Sequence, residues 1–236
     1  MSRILRRLDG PFFYRRSFAL WWPFRFGRCY ACCMKTILLA LILISSSAFA
    51  SGEKSIRILT PGAIKHLLGA YPAAGTEASN RDFDILLHMQ NTRTPEECAT
   101  AKLEENASLE SMFAGPTGPL TKKEMKIASV QLLQNYAEIG ANIYLAKKIY
   151  KRPRPYLVMT ELSPCIDREG SYAYPSGHTA TAHYMAAKLI GMFPARKAAL
   201  LKRAEEVAWN RVLGGVHHPS DIEAGKKLGL ELASMK

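Results

Sequence analysis

Apolar residues recur at helical spacing along most of the chain, and short breaks separate the patterned stretches. The clearest stretch follows "GPTGP" (115–119), where Thr121 and Glu124 form a capping box, and it continues to about Tyr150. The proline-rich segment "KRPRP" (151–155) ends it, because a residue before proline is pushed out of the helical region. No stretch alternates convincingly with a period of two residues. The pattern therefore predicts one domain that is nearly all α-helical.

Further helices are predicted on both sides of this long one, each bounded by glycine, proline or a polar cap. The stretch that opens at Ser176 is a Pro-Ser-Gly turn leading into a helix, and the last helix begins near Pro219 or Ser220. The predicted ranges are 80–90 and 95–114 before the long helix, and 175–193, 194–215 and 219 to about the C-terminus after it. Residues 51–80 are expected to be irregular, with a short amphipathic piece at 62–71.

The N-terminal region has a different pattern. Residues 34–50, "MKTILLALILISSSAFA", combine a charged start, a short apolar core and an A-x-A ending, which is the pattern of a secretory signal peptide. The apolar run is short for a membrane span, and the alternative is a buried helix or a short anchor. We expect cleavage after Ala50 and export to the periplasm, with no stable membrane anchoring afterwards. The arginine-rich prefix 1–33 is interpreted as a start-site misassignment, with Met34 as the true start.

The net charge of +12 is unevenly distributed. Residues 1–33 carry seven arginines and a single aspartate, so the chain after the predicted cleavage site is only mildly basic. Nucleic-acid binding requires a concentrated stripe of lysine and arginine, and none occurs after residue 33. The charge excludes nucleic acid as the expected partner and fits a site for small anions.

The cysteines divide in the same way. Three of the five lie in the prefix, so only Cys98 and Cys165 remain after the predicted cleavage. An even pair in an exported protein favours a disulfide, and the alternative is two buried free thiols. Neither residue has a second cysteine or a histidine at ligand spacing, so we expect no metal site.

Three short segments carry the chemistry. They are "KKIYKRPRP" (147–155), "YPSGHTA" (174–180) and "NRVLGGVHHPSD" (210–221). Singly, each has an ordinary explanation as a solvated cation, a helix cap or a surface histidine. Together, their cations, helix-start N–H groups and histidines would surround a tetrahedral oxyanion. The chain has no P-loop, no H-E-x-x-H and no carboxylate cluster, so phosphate chemistry here would proceed without metal or other cofactor.

The spacing of these segments resembles the tripartite motif of the type 2 phosphatidic-acid-phosphatase (PAP2) superfamily, K-x6-R-P, P-S-G-H and S-R-x5-H-x3-D. That superfamily includes bacterial class A acid phosphatases and vanadium haloperoxidases. The register is unambiguous, because using Arg152 as the motif arginine would require a lysine at Leu145. Likewise, only His217 satisfies both gaps of the third motif, whereas the spacing to Asp221 alone would also allow His218. The resemblance implies a helical bundle of the acid phosphatase and haloperoxidase type over residues 51–236.

The resemblance also implies a role for each matching residue. His217 would be the nucleophile, Asp221 would orient it, and His178 would be the general acid and base. The phosphate would be held by Lys147, Arg154, Arg211, Ser176, Gly177 and Asn210. Asn210 departs from the pattern, because it stands where the family has a serine, although its amide can also donate a hydrogen bond. We expect His218 to be a helix cap or part of the pocket rim, Arg152 to lie at the surface and His183 to be structural.

The expected function is a secreted acid phosphatase that hydrolyses small-molecule phosphate monoesters through a phosphohistidine, with phosphotransfer if an alcohol replaces water. The resemblance suggests a homodimer. The alternatives are a vanadate-dependent haloperoxidase, a lipid phosphatase of the same superfamily and a phosphate-binding protein without turnover. The mature chain is short for the haloperoxidase branch, and no apolar run of membrane-spanning length follows residue 50.

Overall fold

The computed structural model describes residues 55–235, and within that range the regular elements are all helices, which confirms the predicted fold class. The signal peptide predicted at 34–50 and the prefix 1–33 lie outside the described residues. The helices are α1 (Pro61–Leu68), α2 (Glu77–Thr92), α3 (Pro95–Lys102), α4 (Leu109–Phe113), α5 (Lys122–Gln131), α6 (Leu133–Tyr150), α7 (Pro155–Val158), α8 (Gly177–Met192), a short 3₁₀ helix (Pro194–Arg196), α9 (Lys197–Leu213) and α10 (Pro219–Ser234).

Helix α8 lies at the centre of the fold and packs against α10, α9 and α6. Its sequence is rich in small residues, and most of its side chains are buried. Two glycines allow α10 to pack close to it: a Cβ atom on Gly225 would lie 2.5 Å from the Ser176 carbonyl oxygen, and one on Gly229 would lie 2.4 Å from that of Ala180. This close approach brings the first turns of α8 and α10 together, where the Ser176 N–H donates to the Asp221 carbonyl at 2.9 Å.

The stretch 95–114, predicted as helical throughout, contains two helices, α3 and α4, separated by a turn. Ala107 adopts a left-handed backbone conformation, with φ of 48°, which no continuous helix accommodates. Ser108 then caps α4 by accepting a hydrogen bond from the Ser111 N–H at 3.0 Å. The alanine and serine near the middle of this stretch mark the break.

The predicted long helix changes direction at Leu132, whose dihedral angles of −100° and 9° depart from helical values. Leu132 itself keeps both backbone hydrogen bonds, because its N–H donates to the Ala128 carbonyl and its carbonyl accepts from the Tyr136 N–H, both at 2.9 Å. The apolar pattern also overstates burial here, since Val130 and Leu133 are 79% and 72% exposed. The buried side of α5 and α6 is formed by Met125, Ala128, Leu132 and Ile139.

A disulfide joins Cys98 on α3 to Cys165 in the loop between α7 and α8. Arg93 holds the same region by donating to the Leu213 carbonyl at 2.6 Å and to the Ser163 carbonyl. The loop is therefore fixed to α3 and to the end of α9. None of the helices between residues 55 and 235 is long and apolar enough to span a bilayer.

Candidate active site

The residues of the three motifs converge where several helices begin or end. Lys147 lies in the last turn of α6, which ends at Lys151 in a left-handed conformation. Arg154 precedes α7 in the extended backbone that its position before a proline predicts, with φ of −69° and ψ of 149°. The other segments contribute the start of α8, the end of α9 and the start of α10.

His217 is completely buried, and both of its ring nitrogens have partners. Nδ1 lies 3.3 Å from Oδ2 of Asp221, and Nε2 lies 2.9 Å from Nη1 of Arg154. Because a guanidinium can only donate, Nε2 must be the acceptor, and the ring proton resides on Nδ1, facing the carboxylate. Burial, together with the charge of Arg154, lowers the pKa of His217 well below its ordinary value. The imidazole is thus neutral, with its lone pair directed at the cations.

Asp221 is equally buried and is surrounded by donors. Its Oδ2 accepts from the His218 N–H at 2.8 Å and lies 3.0 Å from Nδ1 of His218, in addition to the contact with His217. Burial opposes ionisation, but the hydrogen bonds from His217 and His218 outweigh it and hold the pKa of Asp221 well below its ordinary value. Asp221 is therefore a permanent anion that orients the His217 ring.

His218 approaches the same carboxylate but faces a different space. Its ring packs edge-on against Phe83, with centroids 5.5 Å apart, and lines an apolar pocket with Tyr71. The predicted position as a helix cap agrees with the structure, where His218 is the N-cap residue of α10. Only His217 presents its second nitrogen to the cations.

Three cations surround the Nε2 side of His217. Arg154 donates to the Val216 carbonyl at 2.8 Å and to Oγ of Ser171 at 2.9 Å. Lys147 donates to the Tyr172 carbonyl, and burial and the nearby arginine charge lower its pKa to about 8. Arg211 is buried, and its Nε and Nη1 find no hydrogen-bond partner in the described part of the chain. Buried unpaired donors are costly, and an oxyanion would satisfy them.

His178 lies in the first turn of α8 with Nε2 at 3.2 Å and 3.1 Å from the carbonyl oxygens of Glu104 and Glu105. Carbonyls only accept, so Nε2 carries a proton and Nδ1 is the atom that can gain or lose one. Burial and the charge of Arg211 lower the pKa of His178 to about 4. Its protonated form therefore requires either acid or a bound anion.

Glu169, in the loop before α8, is part of this cluster although no motif contains it. Its Oε2 accepts from Arg154 at 2.5 Å, its Oε1 accepts from Arg211 at 2.8 Å, and Oε1 lies 3.9 Å from Nδ1 of His178. Burial opposes ionisation, but the surrounding positive charges hold the pKa of Glu169 well below its ordinary value. Its partners lie 15 and 42 residues away, so no local pattern could have indicated it.

Arg152 is also part of the site, and the prediction that it lies at the surface is wrong. The side chain is buried and donates to Oδ1 of Asp221 at 2.6 Å and to Oδ2 of Asp82 at 3.1 Å. The alternation of an extended segment could have indicated the burial of Arg152, because residues two apart in such a segment face the same side. Arg152 and Arg154 are both buried, whereas Lys151 and Pro153 between and beside them are exposed.

The remaining predicted residues lie at the edge of the cluster. The Asn210 amide donates to both carboxylate oxygens of Glu104, each at 3.1 Å. The backbone carbonyl of Glu104 contacts Nε2 of His178, so Asn210 is linked to His178 through Glu104. Ser176 caps α8, and its Oγ accepts from the Thr179 hydroxyl at 3.0 Å. A Cβ atom on Gly177 would lie 3.3 Å from Cγ2 of Ile143 and, at ordinary contact distance, 3.7 Å from Cε of Lys147, so the start of α8 lies close against α6.

His183 is directed elsewhere, as expected for a structural residue. Nδ1 lies 3.0 Å from the Thr179 carbonyl and Nε2 lies 3.3 Å from the Glu205 carboxylate. Among residues 55–235, no group of three histidine, cysteine, aspartate or glutamate side chains is arranged to hold a metal ion. The arrangement of cations and neutral imidazole is one that holds an oxyanion and can attack it.

Known proteins share both this sequence pattern and this fold. Residues 127–234 match the PAP2 superfamily. A non-specific acid phosphatase of Salmonella typhi is 36% identical over 107 residues, which are 42% of each chain, and one of Providencia stuartii is 29% identical over 147 residues, which are 58% of each. The matched segments thus cover about half the length of these relatives. A bacterial vanadium-dependent iodoperoxidase superposes with a TM-score of 0.59 at 17% identity, over 75% of this chain and 54% of that one.

The matched region contains all three motifs, from Lys147 to Asp221. Residues 127–234 of the chain therefore belong to the PAP2 superfamily. The likeness to the iodoperoxidase concerns the fold, at an identity too low to carry its activity across.

Proposed function

We propose that the protein is a phosphomonoesterase that works without a metal, through a phosphohistidine at His217. The observation that carries the proposal is the neutral His217 ring, whose Nε2 faces Arg154 within a group of buried cations. The unpaired N–H groups of Arg211 supply further donors for phosphate oxygens. The likeness to non-specific acid phosphatases supports the same reaction.

In the first step, Nε2 of His217 attacks phosphorus and the bond from phosphorus to the ester oxygen breaks. His178 delivers the proton from Nδ1 to the leaving oxygen. Asp221 stabilises the positive imidazole ring that forms, because its carboxylate accepts from Nδ1. The cations neutralise the charge on the equatorial oxygens as the phosphoryl group is transferred.

In the second step, water attacks the phosphohistidine. His178 accepts the proton of this water, the bond from phosphorus to nitrogen breaks, and phosphate leaves with His217 neutral again. An alcohol in place of water would receive the phosphoryl group instead. A pocket of about 440 Å³ lies beside Arg154 and Glu169, at the edge of the site.

Export to the periplasm is part of the proposal. The signal peptide predicted at 34–50 would direct it, and the Cys98–Cys165 disulfide suits an oxidising compartment. N-terminal sequencing of the exported protein should then begin at Ser51.

The test is hydrolysis of p-nitrophenyl phosphate by residues 51–236 with EDTA present. We expect full activity under chelation, and kcat/KM should decline as the pH rises above about 4, where free His178 loses its proton. The same depressed pKa makes the unfolded state bind more protons between about pH 4 and 6.5, so stability should decrease as the pH falls through that range. Absence of hydrolysis from acid to neutral pH would refute the activity, and loss on chelation would refute the metal-free reaction. Bromide oxidation with added vanadate would instead indicate a haloperoxidase.

A further inference from the structure

Glu169 places a carboxylate among the groups that the proposed reaction assigns to phosphate. One oxygen accepts from Arg154 and the other from Arg211, the two arginines of the family motifs. Oε1 also lies 3.9 Å from Nδ1 of His178. A carboxylate that bridges two guanidinium groups has the same recognition chemistry as a phosphate with two of its oxygens.

A phosphate ester at Nε2 of His217 meets Nη1 of Arg154, the guanidinium nitrogen that contacts this ring, and can use the unpaired N–H groups of Arg211. The Nη2 atoms of the same two guanidinium groups are occupied by Glu169. A second anion beside the ionised Glu169 would be repelled by it at a short distance and in a buried site. A phosphate that binds both arginines therefore competes with the Glu169 carboxylate for them.

We propose that Glu169 is an internal anion that occupies the phosphate position and that every substrate phosphate must displace. This inference rests on the proposed function for its substrate and concerns a residue outside the family motifs. When no substrate is bound, the carboxylate of Glu169 compensates the positive charges of Arg154, Arg211 and Lys147. The free energy needed to move Glu169 away lowers the affinity of the site for any phosphate. The product is affected equally, so Glu169 also promotes release of inorganic phosphate.

The surroundings of Glu169 allow this displacement without disturbing the fold. Its backbone carbonyl accepts from the Tyr156 hydroxyl at 2.7 Å, which fixes the main chain. About a quarter of the side chain, 26%, is exposed, so the carboxylate can rotate towards solvent. The segment 167–172 lies at or near the surface between the buried residues Ile166 and Ala173. Motion of the side chain alone is sufficient.

The test measures binding of inorganic phosphate by isothermal titration calorimetry at pH 7 to wild-type protein and to Glu169→Gln. Glutamine keeps the shape of the side chain and removes its charge. We expect the Kd to become tighter by at least about tenfold, equivalent to ~1.4 kcal/mol. Without phosphate, Glu169→Gln should melt below the wild type, because two buried arginines lose their counter-ion, and phosphate should narrow that difference.

The matched control is Asp167→Asn, which removes one negative charge two residues away. The Asp167 side chain is 80% exposed and, among the described residues, forms an ion pair only with Lys102, at 3.6 Å. The affinity of the Asp167→Asn variant for phosphate should therefore stay within about twofold of the wild type. If Glu169→Gln does not fold, Glu169→Asp serves, since its shorter carboxylate cannot bridge both arginines and should also bind phosphate more tightly.

An unchanged or weaker affinity in the folded Glu169 variant would overturn the proposal, because Glu169 would then assist phosphate or act only on the proton of His178. Calorimetry does not depend on turnover. A protein that binds phosphate more tightly without Glu169 but hydrolyses no ester would refute the proposed function and leave this inference standing.

Discussion

Replacing His217 with alanine should abolish hydrolysis of phosphate monoesters, whereas replacing His218 with alanine should leave most of it. Both rings lie against Oδ2 of Asp221, so the aspartate does not distinguish them. The surroundings on the other side of each ring distinguish the two histidines, because Nε2 of His217 contacts Arg154 whereas the His218 ring packs against Phe83. Loss of a nucleophile that acts within a coupled group should lower kcat by a factor on the order of 10⁴ or more.

The His218 variant loses one hydrogen bond to the ionised Asp221, worth roughly 1.5–3 kcal/mol. Asp221 keeps Arg152, His217 and the His218 backbone N–H, so kcat should fall by no more than about tenfold. Steady-state kinetics on the two alanine variants measure the difference, and His218→Asn is the control that keeps a capping side chain at the start of α10. The reverse order of effects would mean that the register of the third motif is wrong.

Arg152→Gln should destabilise the protein strongly and also reduce activity. Arg152 connects Asp221 with Asp82, and all three side chains are buried. Removal of the cation leaves two buried carboxylates without their shared cationic partner, and breaking a buried ion pair in this way costs roughly 3–5 kcal/mol. Activity should fall because Asp221 loses one of the donors that hold its carboxylate in place against the His217 ring.

Urea unfolding measures this loss, with Arg168→Gln as the control. Arg168 is exposed, and its main contact is the Tyr156 ring, 5.2 Å from its guanidinium carbon. In Arg152→Gln, loss of the adjacent cation should raise the pKa of Asp221 above its wild-type position, although the hydrogen bonds from His217 and His218 remain. The folded variant then takes up a proton at higher pH than the folded wild type, so its stability deficit should shrink as the pH falls. A deficit below about 1 kcal/mol, or one that does not vary with pH, would mean that Arg152 does not position Asp221.

The sequence predicts the fold wherever a local cause decides it. The capping box at Thr121 opens α5 as expected, and the proline after Arg154 gives that arginine its extended backbone. The pattern fails where the cause is not periodic. The break before α4 depends on a left-handed alanine, and the interruption at Leu132 depends on the backbone angles of one residue, so neither leaves a mark in the apolar spacing.

The candidate site divides in a similar way. Motif spacing indicates the side chains that must face a common point, and the structure gathers them around Arg154 and His217. Motif spacing cannot indicate Glu169, whose place depends on how the loop between α7 and α8 folds back onto α9. It also misjudges Arg152, because a cation beside two prolines resembles a surface residue until its two aspartate partners, 69 and 70 positions away, are known.

The central claim is that the phosphoryl group passes through His217. Wild-type protein should be mixed with excess p-nitrophenyl phosphate, quenched in alkali during the first turnovers, digested and mapped by mass spectrometry. We expect one phosphoryl group on His217, its absence in His217→Ala and its persistence in His218→Ala. A phosphoryl group on His218 or His178, or release of p-nitrophenol with none on His217 at any quench time, would contradict it.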